Sequence, residues 1–317
     1  MEINASRARL KEIPVEQIDR NPENPRLRLR QSELLELLES IRLYGIQVPI
    51  SVYKEGQRYV LIDGERRWRC SKKLNKKTIP ALIQGKPSPL ENLLLMFNIH
   101  ALREQWDLLT IALKLPHLIE LLGRELGRQP ADRELCDRTG LGLGILRRCK
   151  LLMELPEEYK RELLLELEKP KAARKVTEDL FIEMERALRT VERAMPQVIH
   201  EDKNVVRRIL LQKYKNNVIK NVVHFRKIGK IARAGRVEAD EGKARRVLGR
   251  LFQENSFGIE EAYVSSVSDA YSERDLLTRV NSLADRLEGY GPGEVEQTLV
   301  KPLRRLLSEI RRLLEEE

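Results

Sequence analysis

Residues 59–70 read YVLIDGERRWRC, and this stretch decides how the first third of the chain is interpreted. Its apolar run predicts a strand that ends at Asp63, and Gly64 then allows a tight turn. A basic helix follows, with three arginines in its first turns, Arg66, Arg67 and Arg69. Free N–H groups at a helix start, together with guanidinium groups, form a pocket for phosphate. The alternative is an exposed basic helix, or one that contacts DNA phosphates.

The segments around this turn predict a small α/β unit. LKEIPVEQI, VPISVYK, QRYVLIDG and TIPALIQ are short apolar runs typical of strands. SELLELLESIRLYG has apolar residues at helical spacing, with Ser32 as the expected N-cap and Gly45 as the C-terminal stop. Beyond the proline-containing break GKPSP, the pattern is helical to the end of the chain. We therefore expect an α+β N-terminal domain followed by an all-α region.

Composition narrows the class of protein. The 317 residues carry a formal net charge of +10, and 34% of them are charged. No window approaches the roughly 18 consecutive apolar residues of a membrane span, and the N-terminus lacks the apolar core of a signal peptide, so we expect a cytoplasmic protein without membrane contact. The three cysteines and four histidines have no metal-ligand spacing, so we expect neither disulfides nor a metal site.

Residues 132–155, DRELCDRTGLGLGILRRCKLLMEL, have the pattern of a helix-turn-helix. Small Cys136 and the turn residue Gly140 let two helices cross closely, so that the second can enter a DNA major groove. Glycines at 142 and 144 suggest that this second helix begins only at Ile145. Its candidate DNA contacts are Arg147, Arg148 and Lys150. A purely structural helical hairpin is the alternative.

The second half of the chain is divided by charge. Residues 203–250 contain 15 basic and three acidic residues, a density that favours a nucleic-acid partner over a solvated helical face. The candidate contacts in this stretch are Arg207, Arg208, Lys213 and Lys215. Residues 251–317 are acidic and hold two apolar-periodic segments separated by Gly289–Gly293, which predict a helical hairpin whose apolar stripe pairs with a second copy.

Three motifs together resemble the ParB family of partition proteins, whose N-terminal domain has the ParB/sulfiredoxin fold. GERRWRC is similar to the family's GERRxRA box, NPENPR at 21–26 to its NPxQPR, and GIQVP at 45–49 to an altered GxxQP. The helix-turn-helix and its KLLMELPEE ending also resemble the family. The resemblance covers roughly residues 10–165.

The resemblance implies a nucleotide site. It places CTP, or another nucleoside triphosphate, with Mg²⁺ on the GERRWRC box, where Gly64, Arg66 and Arg67 contact phosphate and Glu65 is a carboxylate at the helix start. The family's third motif, ENxQR, falls at FNIHA, residues 97–101, with Asn98 as its asparagine. Phe97 then stands where family members have the acid used in hydrolysis, so nucleotide binding is expected and CTPase activity is in question.

These observations predict four segments: a nucleotide-binding domain (1–88), a DNA-binding helix-turn-helix domain (89–170), a basic nucleic-acid-binding region (171–250) and a C-terminal dimerisation hairpin (251–317). The leading hypothesis is a nucleoid-associated DNA clamp of the partition type that acts as a homodimer on double-stranded DNA, with a partition ATPase as a possible partner. A DNA-directed enzyme of the same fold, such as a nuclease, and a nucleotide-independent transcriptional repressor are the alternatives.

Overall fold

The structure is a computed structural model that describes residues 9–24, 31–101, 106–199, 203–291 and 293–314. The chain forms two compact units, Met1–Arg186 and Ala187–Glu317. The first unit begins with a mixed sheet and continues with helices, whereas the described part of the second unit is helical. The predicted fold class, an α+β N-terminal domain followed by an all-α region, is confirmed.

A five-stranded sheet opens the first unit. Its strands are β1 (Arg9–Pro14), β2 (Ile18–Asp19), β3 (Ile50–Glu55), β4 (Arg58–Asp63) and β5 (Thr78–Gln84), in the spatial order β1-β5-β3-β4-β2. The β1–β5 and β3–β4 pairs are antiparallel, and the β3–β5 and β2–β4 pairs are parallel. LKEIPVEQI was expected to be one strand, but a 3₁₀ turn at Val15–Gln17 divides it after Pro14.

Alternating side chains of these strands build the core of the sheet. Ile13, Ile50, Val52, Leu61 and Ile79 are buried and pack in one cluster. In β4 the consecutive residues Val60, Leu61 and Ile62 are all buried, so both faces of this strand are covered. The sheet thus presents the end of β4 at a defined position beside β3.

Two helices accompany the sheet, α1 (Gln31–Tyr44) and α2 (Glu65–Lys73). Leu34 and Ile41 of α1 pack against Cys70 of α2. Gly45 ends α1 as expected, because its φ of +72° is left-handed and its N–H donates to the Ile41 carbonyl at 3.0 Å. The expectation for Ser32 is wrong, since α1 already includes Gln31 and Ser32 lies inside the helix.

The rest of the first unit is helical. Its helices are α3 (Pro89–Met96), α4 (Leu108–Leu126), α5 (Asp132–Thr139), α6 (Leu143–Met153), α7 (Glu157–Leu167) and α8 (Glu178–Ala194), the last of which continues into the second unit. A π-helical turn, Phe97–Ala101, follows α3. α4 packs against α6, and Leu115, Leu146 and Cys149 are fully buried.

The second unit contains α9 (Lys203–Lys215), α10 (Phe225–Ile231), α11 (Glu241–Gln253), α12 (Ile259–Val264), α13 (Ser268–Leu287) and α14 (Gln297–Leu314). Leu210, Phe225, Ile228 and Leu248 are fully buried in its core. In contrast, α13 and α14 contain no buried residue within the described range. None of the described helices of the chain is both long and apolar enough to cross a membrane.

Candidate functional site

The turn between β4 and α2 is built around Gly64. Its φ of +97° is left-handed, and a Cβ at this position would lie 2.5 Å from Cγ2 of Ile50. Any other residue would therefore strain the backbone and collide with β3. The turn directs the first N–H groups of α2, which have no partners within the helix, to the end of the sheet. The start of α2 therefore stays the predicted phosphate site.

Glu65 connects the first turn of α2 to the NPEN segment. Its carboxylate accepts hydrogen bonds from Asn24 Nδ2 at 2.7 Å and from Arg69 Nη2 at 2.6 Å, and it is ion-paired with Arg20 Nε at 2.8 Å. The side chain is 5% exposed. Two arginines neutralise this carboxylate and Asn24 adds a hydrogen bond, so its burial is compensated. Glu65 therefore holds the site together, a role that the sequence did not indicate.

Arg67 connects the same helix to the GIQVP segment. Its Nη1 donates to the carbonyl oxygens of Val48 at 2.6 Å and Pro49 at 2.9 Å, and its Nη2 donates to Asp63 Oδ2 at 3.0 Å. The guanidinium is thus largely used within the protein. Through Glu65 and Arg67, the fold gathers the NPEN, GIQVP and GERRWRC segments around one helix start.

Arg66 lies half-buried between these two residues in the first turn of α2. The Arg67 guanidinium is engaged by two carbonyls and by Asp63, and Arg66 stays a predicted phosphate contact. Arg26 of the NPENPR motif lies outside the described residues.

The third motif lies on the π-helical turn after α3. Asn98 is exposed, and its Nδ2 donates to the carbonyl oxygens of Leu94 at 2.9 Å and Arg138 at 3.3 Å. Asn98 therefore joins this turn to α5 of the helix-turn-helix. Phe97 is fully buried, with its ring centroid 5.3 Å from that of Trp106 in an edge-to-face arrangement. Phe97 is consequently a core residue. Arg103, Glu104 and the side chain of His100 fall outside the described residues.

The sequence did not predict a buried pair of asparagine side chains. Asn21 Nδ2 donates to Asn92 Oδ1 at 2.8 Å, and Asn92 Nδ2 donates to Asn21 Oδ1 at 3.2 Å. The two side chains satisfy each other in the interior and fasten the NPEN segment to α3. The only signal in the sequence was a pair of polar residues, Glu91 and Asn92, in the otherwise apolar sequence of α3.

The helix-turn-helix forms at α5 and α6. Gly140 adopts a left-handed φ of +73°, and its N–H closes α5 on the Cys136 carbonyl at 2.8 Å. α6 begins at Leu143, so the expected start at Ile145 is wrong. Gly142 serves as its N-cap, a position that tolerates glycine well, and packing of the fully buried Leu146 offsets the cost of Gly144.

The candidate DNA contacts on α6 differ in their surroundings. Arg147 is exposed, whereas Arg148 is ion-paired with Asp179 and Lys150 with Asp132. These exposed pairs are weak and can be exchanged for phosphate contacts. Of these three side chains, Arg147 is the one that is exposed and forms no ion pair with another described residue.

A buried carboxylate supports this helix-turn-helix from α8. Glu178 accepts a hydrogen bond from the N–H of Leu109 at 2.7 Å and so caps the start of α4. Burial raises the pKa of Glu178 to about 7. Burial likewise raises the pKa of the nearby Cys149 thiol to about 12, which makes it a packing residue and a poor nucleophile.

The structure corrects part of the predicted basic surface. Arg207 and Lys213 are 6% and 1% exposed, so the prediction that they contact DNA is wrong. The Lys213 ammonium donates to the backbone carbonyls of Leu251 and Phe257 and joins α9 to the end of α11. Arg208 and Lys215 are exposed on the other side of α9. Charge counting could not separate these residues, because helical position decides which of them face the core.

Parts of the chain match a protein family and known proteins. A family model described as ParB N-terminal domain matches residues 1–95. The chromosome-partitioning protein ParB of Myxococcus xanthus is 40% identical over 80 residues, which are 25% of this chain and 27% of that protein. The nucleoid occlusion protein of Geobacillus kaustophilus is 32% identical over 166 residues, which are 52% of this chain and 56% of that protein. The matches thus span about half or less of these relatives.

A solved structure is also similar. It is the C-terminally truncated chromosome-partitioning protein ParB of Caulobacter crescentus complexed with CTP-gamma-S, which is 26% identical and covers 52% of this chain and 90% of that one, with a TM-score of 0.29. The residues that the family model matches, 1–95, include all three motifs. The resemblance to the ParB family that the motifs predicted is therefore confirmed for residues 1–95, which match the ParB N-terminal domain.

Proposed function

We propose that this protein is a DNA-binding partition protein in which nucleotide binding, with CTP as the expected nucleotide, favours a clamp-like homodimer on DNA. The observation that carries the proposal is the convergence of the NPEN, GIQVP and GERRWRC segments on the start of α2 through Glu65 and Arg67. A nucleotide can shift the open–closed equilibrium only by its differential affinity for the two states. The phosphate pocket therefore needs a connection to the DNA-binding helices.

Asn98 supplies a candidate for that connection. It lies directly after α3 and its amide contacts the last turn of α5 through the Arg138 carbonyl. α3 in turn is fastened to the NPEN segment by the Asn21–Asn92 pair. A change in the NPEN segment on nucleotide binding would thus be transmitted through α3 to the helix-turn-helix. In this proposal Asn98 senses the nucleotide from the far end of α3.

For the phosphate contacts we assign the backbone around Gly64 and the side chain of Arg66, with Mg²⁺ accompanying the triphosphate. Arg67 and Glu65 position the segments that surround the pocket. The proposal covers nucleotide binding and does not require hydrolysis, because Phe97 is packed in the core and has no acidic group.

For DNA recognition we assign α6, with Arg147, Arg148 and Lys150 near its surface. For dimerisation we assign α13 and α14, whose exposed apolar residues include Leu276, Leu277, Leu307 and Leu313. Exposed apolar stripes of this length are unfavourable in water, and a second copy would cover them. A partition ATPase remains a possible further partner.

The test is calorimetric titration of the full chain with CTP, ATP, GTP and UTP in the presence of Mg²⁺, with and without a mixed-sequence DNA duplex. We expect selective CTP binding that DNA strengthens. Arg66→Ala should weaken CTP binding at least tenfold, because it removes a charge-assisted phosphate contact. Lys73→Ala, an exposed residue in the last turn of the same helix, is the matched control and should stay within threefold.

The alternatives give different outcomes. DNA binding without affinity for any nucleotide would favour the repressor. Magnesium-dependent cleavage of plasmid DNA would favour the enzyme, although among the described residues no group of three His, Cys, Asp or Glu side chains is placed to hold a metal ion. Either outcome would refute the nucleotide-responsive clamp.

A further inference from the structure

The second unit contains a concave basic surface where α10, the following 3₁₀ turn (Ala234–Val237) and α13 meet. We call it the cationic cleft and define it by Lys230, Arg233, Arg236 and Arg274. These residues line a cavity of about 530 Å³. Arg233 and Arg236 also line an adjoining cavity of about 630 Å³, where Arg193 adds a fifth positive charge. The cleft is therefore continuous across the arginine pair.

Contacts within the unit hold the cleft in shape. The hydroxyl of Tyr271 donates to the Lys230 carbonyl at 3.2 Å, and the Arg274 guanidinium donates to the Arg236 carbonyl. The Lys230 ammonium lies 5.1 Å from the ring centroid of Tyr271 and 5.5 Å from that of Tyr263. These cation–π contacts fix the ammonium without neutralising its charge. The positive charges are thus ordered before any ligand arrives.

The charges of the cleft are not compensated. Its four cations are exposed, and among the described residues none of them forms an ion pair with a carboxylate. Some other basic residues of this unit do form such pairs, Lys203 with Glu192 at 2.8 Å and Arg250 with Glu254 at 2.8 Å. An exposed ordered cluster of unpaired cations lowers its repulsion by binding a polyanion.

The two carboxylates along the cavities offset only part of this charge. Asp275 is ion-paired with Arg279 at 2.8 Å. Glu241 lies over Gly235, so close that a Cβ at that glycine would collide with its carboxylate. Glycine at 235 therefore lets the 3₁₀ turn bring Arg233 and Arg236 alongside α11. Five cations consequently face one engaged carboxylate and one that packs on the turn.

We propose that the cationic cleft binds the phosphodiester backbone of duplex DNA without reading its sequence, an inference that rests on the proposed DNA-binding function and locates its second contact. The ammonium of Lys230 already lies near both tyrosine rings, so these rings are not free platforms for stacking bases. Guanidinium groups on a concave surface are suited to phosphate. Because Arg207 and Lys213 are buried, we assign the contact with DNA phosphates in this unit to the cleft instead.

The test compares two double variants of the full chain that remove the same charge. Arg233→Gln with Arg236→Gln changes the cleft, and Lys243→Gln with Arg246→Gln changes exposed residues of α11 outside it. The affinity for a mixed-sequence duplex is measured between 50 and 300 mM salt. Each phosphate neutralised contributes about 0.9 to the slope of log K against log salt. We expect the cleft variant to lower the slope by about 2 and the control to lower it by less than about 0.5.

The outcomes separate this inference from the proposed function. If the wild-type chain binds DNA and the two variants have the same slope, the cleft assignment is wrong while DNA binding stands. If the wild-type chain binds no DNA, the proposed function fails first. Loss of CTP binding in the cleft variant, with an unchanged DNA slope, would assign the cleft to a nucleotide and refute the DNA assignment.

A benzophenone side chain introduced at Ser272 on the cleft rim provides a second readout, since it should cross-link to DNA only if the backbone passes through the cleft.

Discussion

Replacement of Gly64 by alanine should destabilise the first unit more than the same change at any other left-handed glycine of the sheet. Gly64 ends β4 with φ +97°, and the new Cβ would lie 2.5 Å from Cγ2 and 3.0 Å from Cβ of Ile50. Because Ile50 is fully buried in a central strand, it cannot move aside without disturbing the core.

The magnitude has two parts. A left-handed conformation costs a residue with a Cβ about 1–2 kcal/mol. Overpacking a close-packed site costs about 1–3 kcal/mol more. The sum for Gly64→Ala is therefore about 2–5 kcal/mol. Gly56, in the β3–β4 turn, is the matched control, since its φ is +59° and a Cβ there would meet nothing within 4 Å. Gly56→Ala should cost only the first part, about 1–2 kcal/mol.

The assay is urea unfolding followed by tryptophan fluorescence. The chain has two tryptophans, Trp68 and Trp106, both buried in the first unit, so the signal reports that unit alone. The midpoint should fall further for Gly64→Ala than for Gly56→Ala, with an unchanged dependence on urea. Ile50→Ala in the Gly64→Ala background should cost less than in the wild type, because the colliding methyl group is gone.

Equal losses of stability for the two glycine variants would refute the steric part of this reasoning. Strictly additive effects of Gly64→Ala and Ile50→Ala would do the same, since the collision requires both side chains. A larger loss at Gly56 than at Gly64 would mean that the turn between β4 and α2 is not the constrained one.

Three further predictions concern buried charges and the C-terminal helices. Burial lowers the pKa of Lys213 from 10.5 to about 8, so the unfolded state binds more protons than the folded state between pH 8 and 10.5. The stability of the second unit should therefore rise with pH over this interval, and hydrogen exchange of α9 should show no such rise in Lys213→Met. Burial raises the pKa of Glu178 from 4.5 to about 7, so the stability of the first unit should fall as the pH rises from 5 to 8. Glu178→Gln keeps the hydrogen-bond acceptor and should make the midpoint of urea unfolding less dependent on pH. Leu306→Asp with Ile310→Asp should convert the proposed homodimer to a monomer in sedimentation, and an unchanged mass would exclude α14 from the interface.

The local sequence was sufficient for the elements around the pocket. The apolar run YVLI predicted β4, and the glycine after Asp63 and the arginines that follow predicted the turn and α2, because each depends on neighbours within a few residues. The helix-turn-helix was predicted for the same reason, from a small residue and a turn glycine. Its second helix was misplaced by two residues, since intrinsic propensity at Gly144 yields to packing of Leu146.

The role of each charged side chain required the tertiary structure. Glu65, Arg67 and Lys213 are separated from their partners by 41, 19 and 38 residues respectively, and only the fold brings those partners within reach. Charge counting also predicted a basic region but not the cationic cleft, because it does not show which cations lack a carboxylate nearby. The sequence by itself thus determined the fold class and the start of α2, since these depend on local periodicity and backbone conformation. Only the tertiary structure decided which charges are buried and paired and which remain exposed, since that depends on contacts between distant parts of the chain.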